Sequence, residues 1–197
     1  MSEDFQQRRN LDADYYQRLH ESNPAFQNNN WLTDELATLR SFGGRSLLEV
    51  GCGNGRFLRL AAGHWSEVVG VDWARSPLIG DVLHECPNVS FQQADVLSLR
   101  MDRKIDVVAS ADFLEHLPPE ALPAALANLH RLGTVNFHKI ACYDDGHSHL
   151  SIFPVERWLE LFSQAAGAGT YRAHTITPRK GDKTKLVVTI TNAPTGR

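Results

Sequence analysis

The stretch SLLEVGCGNGRFLRLAA, from Ser46 to Ala62, constrains the fold more than any other segment of the chain. A short apolar run gives way to Gly51, Gly53 and Gly55 at alternate positions, and an amphipathic run follows at once. Glycine permits the sharp bend of a strand-to-helix turn and lets a ligand lie against bare backbone. Free amides at the start of the following helix add a weak positive field. The pattern predicts strand, ligand-facing turn and helix, the opening unit of a parallel α/β sheet.

The sequence downstream repeats the alternation. SLLEV, EVVGVD, NVSFQQ, KIDVVAS and TVNFHKIAC predict strands, while GRFLRLAAG, SPLIGDVLHE, PEALPAALANLHRL and PVERWLELFSQAAG predict helices. TYRAHTIT and TKLVVTITN, joined by the turn-rich PRKGDK, predict a closing antiparallel hairpin. The fold class is therefore α/β, a doubly wound Rossmann-like sheet. Residues 1–42 read as a helical lead segment. Within it LDADYYQRLHES predicts a helix, NPAFQNNN a break, and WLTDELATLRSFGG a second helix capped by Thr33 or Asp34 and stopped by Gly43 and Gly44. Residues 43–197 form the domain proper.

A chain of 197 residues suits one core without metal or disulfide staples. Its net charge of −3, with interspersed signs, gives no footprint for nucleic acid or an anionic membrane. Cys52, Cys86 and Cys142 are odd in number and widely spaced, which argues against a disulfide framework or a zinc knuckle. MSEDFQQRRN lacks the apolar core of a signal peptide, and no run approaches the roughly 18 apolar residues of a membrane span. The expected location is the cytoplasm.

Two carboxylates narrow the ligand. Glu49 stands two positions before the first glycine. Asp72 ends the next strand, at the separation where a dinucleotide fold presents an acid to a ribose diol. Nicotinamide folds, however, cradle a pyrophosphate with G-x-G-x-x-G, whereas this turn reads G-x-G-x-G behind an acid. A carboxylate there repels a pyrophosphate and suits an ammonium group, such as the methionine end of S-adenosylmethionine.

At these residues the sequence resembles the class I S-adenosylmethionine-dependent methyltransferases, in particular small bacterial ones of the type 11/12 kind. LLEVGCGNGRF is similar to their first motif, VVGVD to the ribose-binding strand end, QQADVLSL to the adenine-contacting segment, and IDVVASADFLEHLPPEAL to the fourth strand and following helix. The resemblance runs from about Leu36 to Leu132. It implies a seven-stranded sheet, mostly parallel with an antiparallel last strand. It also implies that Glu49, Gly51, Gly53 and Asn54 border the methionine moiety, with Cys52 and Gly55 in the same cofactor loop. Asp72 would accept from both ribose hydroxyls, Trp73 would cover the adenine face, Asp95 and Val96 would meet the adenine, and Ala111 would complete the set. Plainer roles stay open: Asp95 as a loop cap, Trp73 as core, Cys52 as filler. The family's frequent Lys-Pro-Gly-Gly turn before the fifth strand is missing, since GTVNFHKIACYDDG follows LHRLG almost at once.

Methyl transfer from a sulfonium depends mainly on alignment, worth roughly 7 to 11 kcal/mol. A general base adds typically about 10²- to 10⁴-fold. Candidate bases gather in ADFLEHL, with Asp112, Glu115 and His116, and in CYDDGHSHLSI, with Asp144, Asp145, His147 and His149. His116, His147 and His149 are the catalytic candidates. His147 and His149 share a face if extended and, with the paired aspartates, could hold a divalent cation; the competing reading is a solvated turn, and no residue is assigned to metal. Tyr15, Tyr16, His20 and Trp31 read either as a lid or as a docked amphipathic helix.

The expected acceptor is a small molecule or glycan methylated at oxygen, in secondary-metabolite or surface-polysaccharide biosynthesis. The alternatives are a non-catalytic module binding the donor or its product S-adenosylhomocysteine, and a nicotinamide-dependent oxidoreductase. No Asn-Pro-Pro-Tyr-like element for a flipped base follows the fourth strand, so nucleic acid is not expected. A homodimer stays open.

Overall fold

In β1 (Ser46–Val50) all five residues are buried, which a strand achieves only when both faces of its sheet are covered. The computed structural model provides that cover. It describes residues 11–194; residues 1–10, which hold the start of the lead segment, and residues 195–197 lie outside the described residues. After β1 come β2 (Glu67–Asp72), β3 (Val89–Gln93), β4 (Ile105–Ala111), β5 (Gly133–Ala141), β6 (Arg172–Arg179) and β7 (Asp182–Thr191). They form one sheet of order β3-β2-β1-β4-β5-β7-β6. β1 to β5 pair in parallel, and β7 lies antiparallel between β5 and β6. The order reverses beside β1, where such sheets open a crevice at their carboxyl ends.

The helices are α1 (Ala13–Ser22), α2 (Pro24–Asn28), α3 (Leu36–Ser41), α4 (Arg56–Ala61), α5 (Ile79–Glu85), α6 (Leu122–Leu132) and α7 (Val155–Ala166). Strand alternation divides the core between them. Leu48, Val50, Val108 and Ile140 pack against α6 and α7 through Leu126, Leu129, Trp158 and Phe162. Leu47, Val68, Val107 and Phe137 face the other way, against Phe57, Leu58 and Ala61 of α4 and Ile79 and Val82 of α5.

Three local expectations are corrected, the first being the break over NPAFQNNN, where Asn23 instead caps α2 by accepting from the Ala25 amide at 2.9 Å. Thr33 and Asp34 cap nothing: Thr33–Glu35 is a 3-10 turn, the α3 start has no side-chain cap, and the Thr33 hydroxyl donates to the Asn30 carbonyl instead. The helix expected from Pro119 begins only at Leu122, after a 3-10 turn at Leu114–His116. α6 then runs into β5 at Gly133 without a loop, and a Cβ at Gly133 would come within 2.8 Å of Val108 Cγ2, so a side chain there would force a shift. Among the described residues no helix is long and apolar enough to cross a membrane.

Candidate active site

The glycine turn is anchored from below: the amides of Gly51 and Cys52 donate to the Val71 carbonyl at 2.8 and 3.1 Å. Gly51, Gly53 and Gly55 all hold positive φ, at 73°, 52° and 73°. Their surroundings differ. A Cβ at Gly51 would lie 2.7 Å from the Phe113 ring, and one at Gly55 would lie 2.8 Å from Ile79 Cδ1. At Gly53 the nearest atom would be His20 Cε1, at 3.4 Å. Packing excludes side chains from the outer two positions, and the middle one is bare toward a cavity.

That cavity, of about 230 Å³, lies over the carboxyl ends of β1, β2 and β4. Gly51, Cys52, Gly53, Asn54, Asp72, Trp73, Asp95, Val96 and Ala111 line it. Asp72 accepts from the Gly53 amide at 2.8 Å and the Ala74 amide at 3.1 Å, so one carboxylate ties the β2 end to the turn. Burial pushes its pKa up, and the neighbouring His20 and the amide hydrogen bonds hold it back. Asp95 caps its own loop through the Leu97 amide (2.8 Å) as well as bordering the cavity. The Val96 carbonyl accepts from the Asn128 side chain at 2.6 Å, which fixes that wall. Trp73 is partly exposed, not core, and Cys52 is fully buried against the turn.

Glu49 is placed differently from its neighbours. It is buried and absent from the cavity wall. Its Oε1 accepts from Asn30 Nδ2 at 2.7 Å, and its Oε2 has no partner. Burial raises its pKa to about 8, against the Asn30 hydrogen bond. Gly55 likewise stays off the wall and serves the packing of α4 on α5.

The lead segment closes the mouth, with Tyr16, His20, Phe26, Asn29, Asn30 and Trp31 in the cavity wall. Side-chain hydrogen bonds hold it, one within the segment and others to the domain. Asp12 caps α1 through the Tyr15 amide at 2.9 Å. Gln17 exchanges two hydrogen bonds with the Arg75 backbone, at 3.0 and 2.8 Å. Asn54 donates to the carbonyls of Phe26 and Asn29 at 2.9 and 3.0 Å, so its amide group is engaged with the lead segment. Across the mouth the Arg179 guanidinium sits 4.2 Å from the centre of the Trp31 ring.

On the β4 side, Asp112, Phe113 and His116 line the cavity. Glu115 is structural: its carboxylate accepts from the Ala141 amide at 2.6 Å, and its carbonyl accepts from the amides of Leu150 and Ser151. This brings the loop after β5 against the end of β4, with the His116 and His149 rings 5.0 Å apart. Burial lowers the His116 pKa to about 4, so its imidazole is neutral at neutral pH.

His147 and His149 do not share a face. Asp145 accepts the amides of His147, Ser148 and His149, curling the segment so that His149 is buried while His147 is exposed, off the cavity and 2.9 Å from the Tyr15 hydroxyl. The imagined cluster of both histidines with the paired aspartates is replaced by Asp112, His116 and His149, whose ligand atoms lie within 4.8 Å of one another.

A mostly parallel seven-stranded sheet with an antiparallel β7, and a glycine turn tied to an acid at the β2 end, define the class I S-adenosylmethionine-dependent methyltransferase fold. Residues 47–134 match the family model described as a methyltransferase domain. A ubiquinone biosynthesis O-methyltransferase of Pseudomonas putida (strain GB-1) is 35% identical over 108 residues, covering 52% of this chain and 44% of that protein. The chain thus spans less than half the length of this curated relative. Among solved structures, a 1,6-didemethyltoxoflavin-N1-methyltransferase of Burkholderia thailandensis with S-adenosylhomocysteine bound superposes with a TM-score of 0.75 at 18% identity, covering 97% of this chain and 91% of that one. The N-methyltransferase NodS of Bradyrhizobium japonicum WM9, also with S-adenosylhomocysteine, gives 0.66 at 17% identity, covering 92% and 98%.

Proposed function

We propose that the chain binds S-adenosylmethionine in the cavity over β1, β2 and β4 and transfers its methyl group to a small-molecule acceptor, at oxygen. The observation that carries this reading is the junction of Gly53 and Asp72: a bare glycine facing the cavity and a carboxylate able to take a ribose diol, hydrogen-bonded to each other in one cavity wall. The unpartnered buried Oε2 of Glu49 fits the same ligand, since an ammonium group is what such an oxygen lacks.

The residues divide the work by position. Asp72 takes the ribose, Asp95 and Val96 the adenine edge, and Trp73 its face. Gly51 and Gly53 border the methionine end, with Glu49 behind them. The bound donor supplies an already activated methyl group, so the protein's task is to align the acceptor and exclude water. The lead segment serves as the lid, through Tyr16, His20 and Trp31. Asp112 and His116 face the acceptor, and burial keeps the His116 imidazole neutral there. His149 backs it, and His147 steadies the lid through Tyr15 rather than touching the acceptor.

Oxygen as the acceptor atom follows the curated relative's name, and the acid and histidine pair at the β4 end suits a hydroxyl; the two structural neighbours are named for transfer to nitrogen. A glycan or secondary metabolite hydroxyl in the cytoplasm is the acceptor class. The free Cys52, Cys86 and Cys142 suit that reducing compartment. The test is calorimetric titration with S-adenosylhomocysteine, followed by an acceptor screen read by S-adenosylhomocysteine release. Failure to bind it would end this reading, whereas binding without turnover over a broad panel of hydroxylated acceptors would leave a sensor or scaffold.

A further inference from the structure

The carboxylate of Asp112 and the imidazoles of His116 and His149 converge at the acceptor end of the cavity from two separate segments, the β4 end and the loop after β5. We propose that these three residues form a binding site for a first-row divalent cation, which takes the hydroxyl oxygen of the acceptor.

The hydrogen bonds behind the histidines carry the inference. His149 Nδ1 lies 2.6 Å from the Tyr143 carbonyl, and His116 Nδ1 lies 3.2 Å from the Ser148 carbonyl. A carbonyl only accepts, so each Nδ1 carries the proton in these bonds, that of His116 shared with the Tyr16 hydroxyl at 3.3 Å, and each ring when neutral presents its Nε2 lone pair. Anchoring one ring nitrogen to a backbone carbonyl so that the other is free is how metal-ligating histidines are ordinarily set. His149 Nε2 stands 3.8 Å from Asp112 Oδ1. No acid donates to that lone pair, and the carboxylate facing it is a second electron donor. With His149 neutral, two electron-rich groups face each other across a space that a cation would fill.

The backbone supports the same reading. Asp112 holds φ at 54°, a left-handed conformation uncommon for a residue with a side chain, and its amide donates to the Lys139 carbonyl. This conformation places the carboxylate on the cavity wall beside His116. Asp145 is excluded as a ligand despite standing 3.9 Å from His149 Nε2. Its oxygens already accept three amides and the Ser148 hydroxyl, which builds the loop.

Two imidazoles and one carboxylate suit zinc, cobalt, iron or manganese better than calcium or magnesium, which favour oxygen alone. Bonds of about 2.0 to 2.2 Å set tetrahedral donors about 3.4 Å apart, so three donors now within 4.8 Å of one another must close by up to about 1.4 Å on binding. Three protein ligands leave open positions, and two of the three residues face the cavity. An acceptor hydroxyl entering such a position loses its proton to water more readily, as metal-bound water does. The role at the acceptor rests on the methyltransferase reading; the cation site does not.

Untagged protein stripped of metal, then titrated with Co²⁺ and in competition with Zn²⁺, tests the site. One equivalent should bind and develop the visible absorption of Co²⁺ held by nitrogen and oxygen. Asp112→Asn, His116→Gln and His149→Gln should each weaken binding by roughly 10- to 100-fold or more, while His147→Gln should leave it unchanged. Retained S-adenosylhomocysteine binding reports that each variant is folded. His116→Gln, at a half-buried position, keeps the test available if the buried His149 variant fails to fold. Absence of Co²⁺ absorption in the parent protein, or binding that is lost with His147 and kept without His116, overturns the site. S-adenosylhomocysteine binding without metal overturns it while sparing the methyltransferase reading; metal binding without S-adenosylhomocysteine upholds the site and overturns that reading instead.

Discussion

Asp72 Oδ2 accepts a 2.8 Å hydrogen bond from the amide of Gly53, joining the end of β2 to the middle of the glycine turn. The two groups that read separately in the sequence as ribose acceptor and bare backbone are thus one rigid unit. Asp72→Ala should weaken S-adenosylhomocysteine binding by roughly 5- to 150-fold, the equivalent of two lost hydrogen bonds at about 0.5 to 1.5 kcal/mol each. Isothermal calorimetry measures this directly, and an unchanged dissociation constant would remove Asp72 from the ribose site.

Glu49 gives a pH signature. Burial raises its pKa to about 8, so below that pH the free protein holds a proton that an ammonium group at Oε2 must expel. S-adenosylhomocysteine affinity should climb by up to about tenfold per pH unit between about pH 6 and 8 and then level off. Glu49→Gln should flatten the profile. A flat profile in the parent protein would place the ammonium group elsewhere.

The exchange of hydrogen bonds between Gln17 and the Arg75 backbone sets how firmly α1 covers the cavity. Losing both in Gln17→Ala should cost about 1 to 3 kcal/mol of local stability and speed amide exchange in residues 13–22 accordingly. The urea midpoint of the whole domain should barely move. Exchange in α1 as slow as in the parent would show that the apolar contacts alone dock the helix.

Gly55→Ala separates packing from binding at the turn. The added Cβ would meet Ile79 Cδ1 at 2.8 Å at a φ of 73°, so two penalties act together. Stability should fall by more than about 1 kcal/mol, lowering the melting temperature by about 2 to 4 °C for each kcal/mol. An unaltered melting curve would mean that α5 yields without cost.

His138 is buried against Phe162, with its Nδ1 2.9 Å from the Ser110 hydroxyl and its Nε2 unpartnered. Burial lowers its pKa from 6.5 to about 3, so on acidification the unfolded chain takes the proton first. The stability it contributes is complete above about pH 6.5 and drains away as pH falls toward 3. Between pH 7 and pH 5 the loss from this residue is about 2 kcal/mol. Urea unfolding of His138→Gln at those two pH values should show a difference smaller by that amount; equal slopes for parent and variant would refute the assignment.

What was legible in the sequence is what short-range pattern encodes. SLLEV and EVVGVD coincide with β1 and β2 because strands covered on both faces must be nearly continuous in apolar residues. Gly51, Gly53 and Asp72 stood out because bare turns and strand-end acids have fixed spacing along the chain. The sequence did not separate the reasons for the three glycines, since Phe113 and Ile79, which forbid side chains at two of them, are distant in the chain and arrive only through packing.

The sequence by itself therefore determined the order of the strands and of the helices between them, and the residues of the glycine turn. The tertiary structure alone decided that Asn30 caps Glu49, that Arg179 of the hairpin covers Trp31, and that His149 rather than His147 joins Asp112 and His116. Alternation and turn chemistry act over a few residues and are written in neighbouring letters. Which side chains meet across a cavity depends on how Asp145 curls one loop and how Glu115 pins it to β4, and those choices exist only once the sheet has formed.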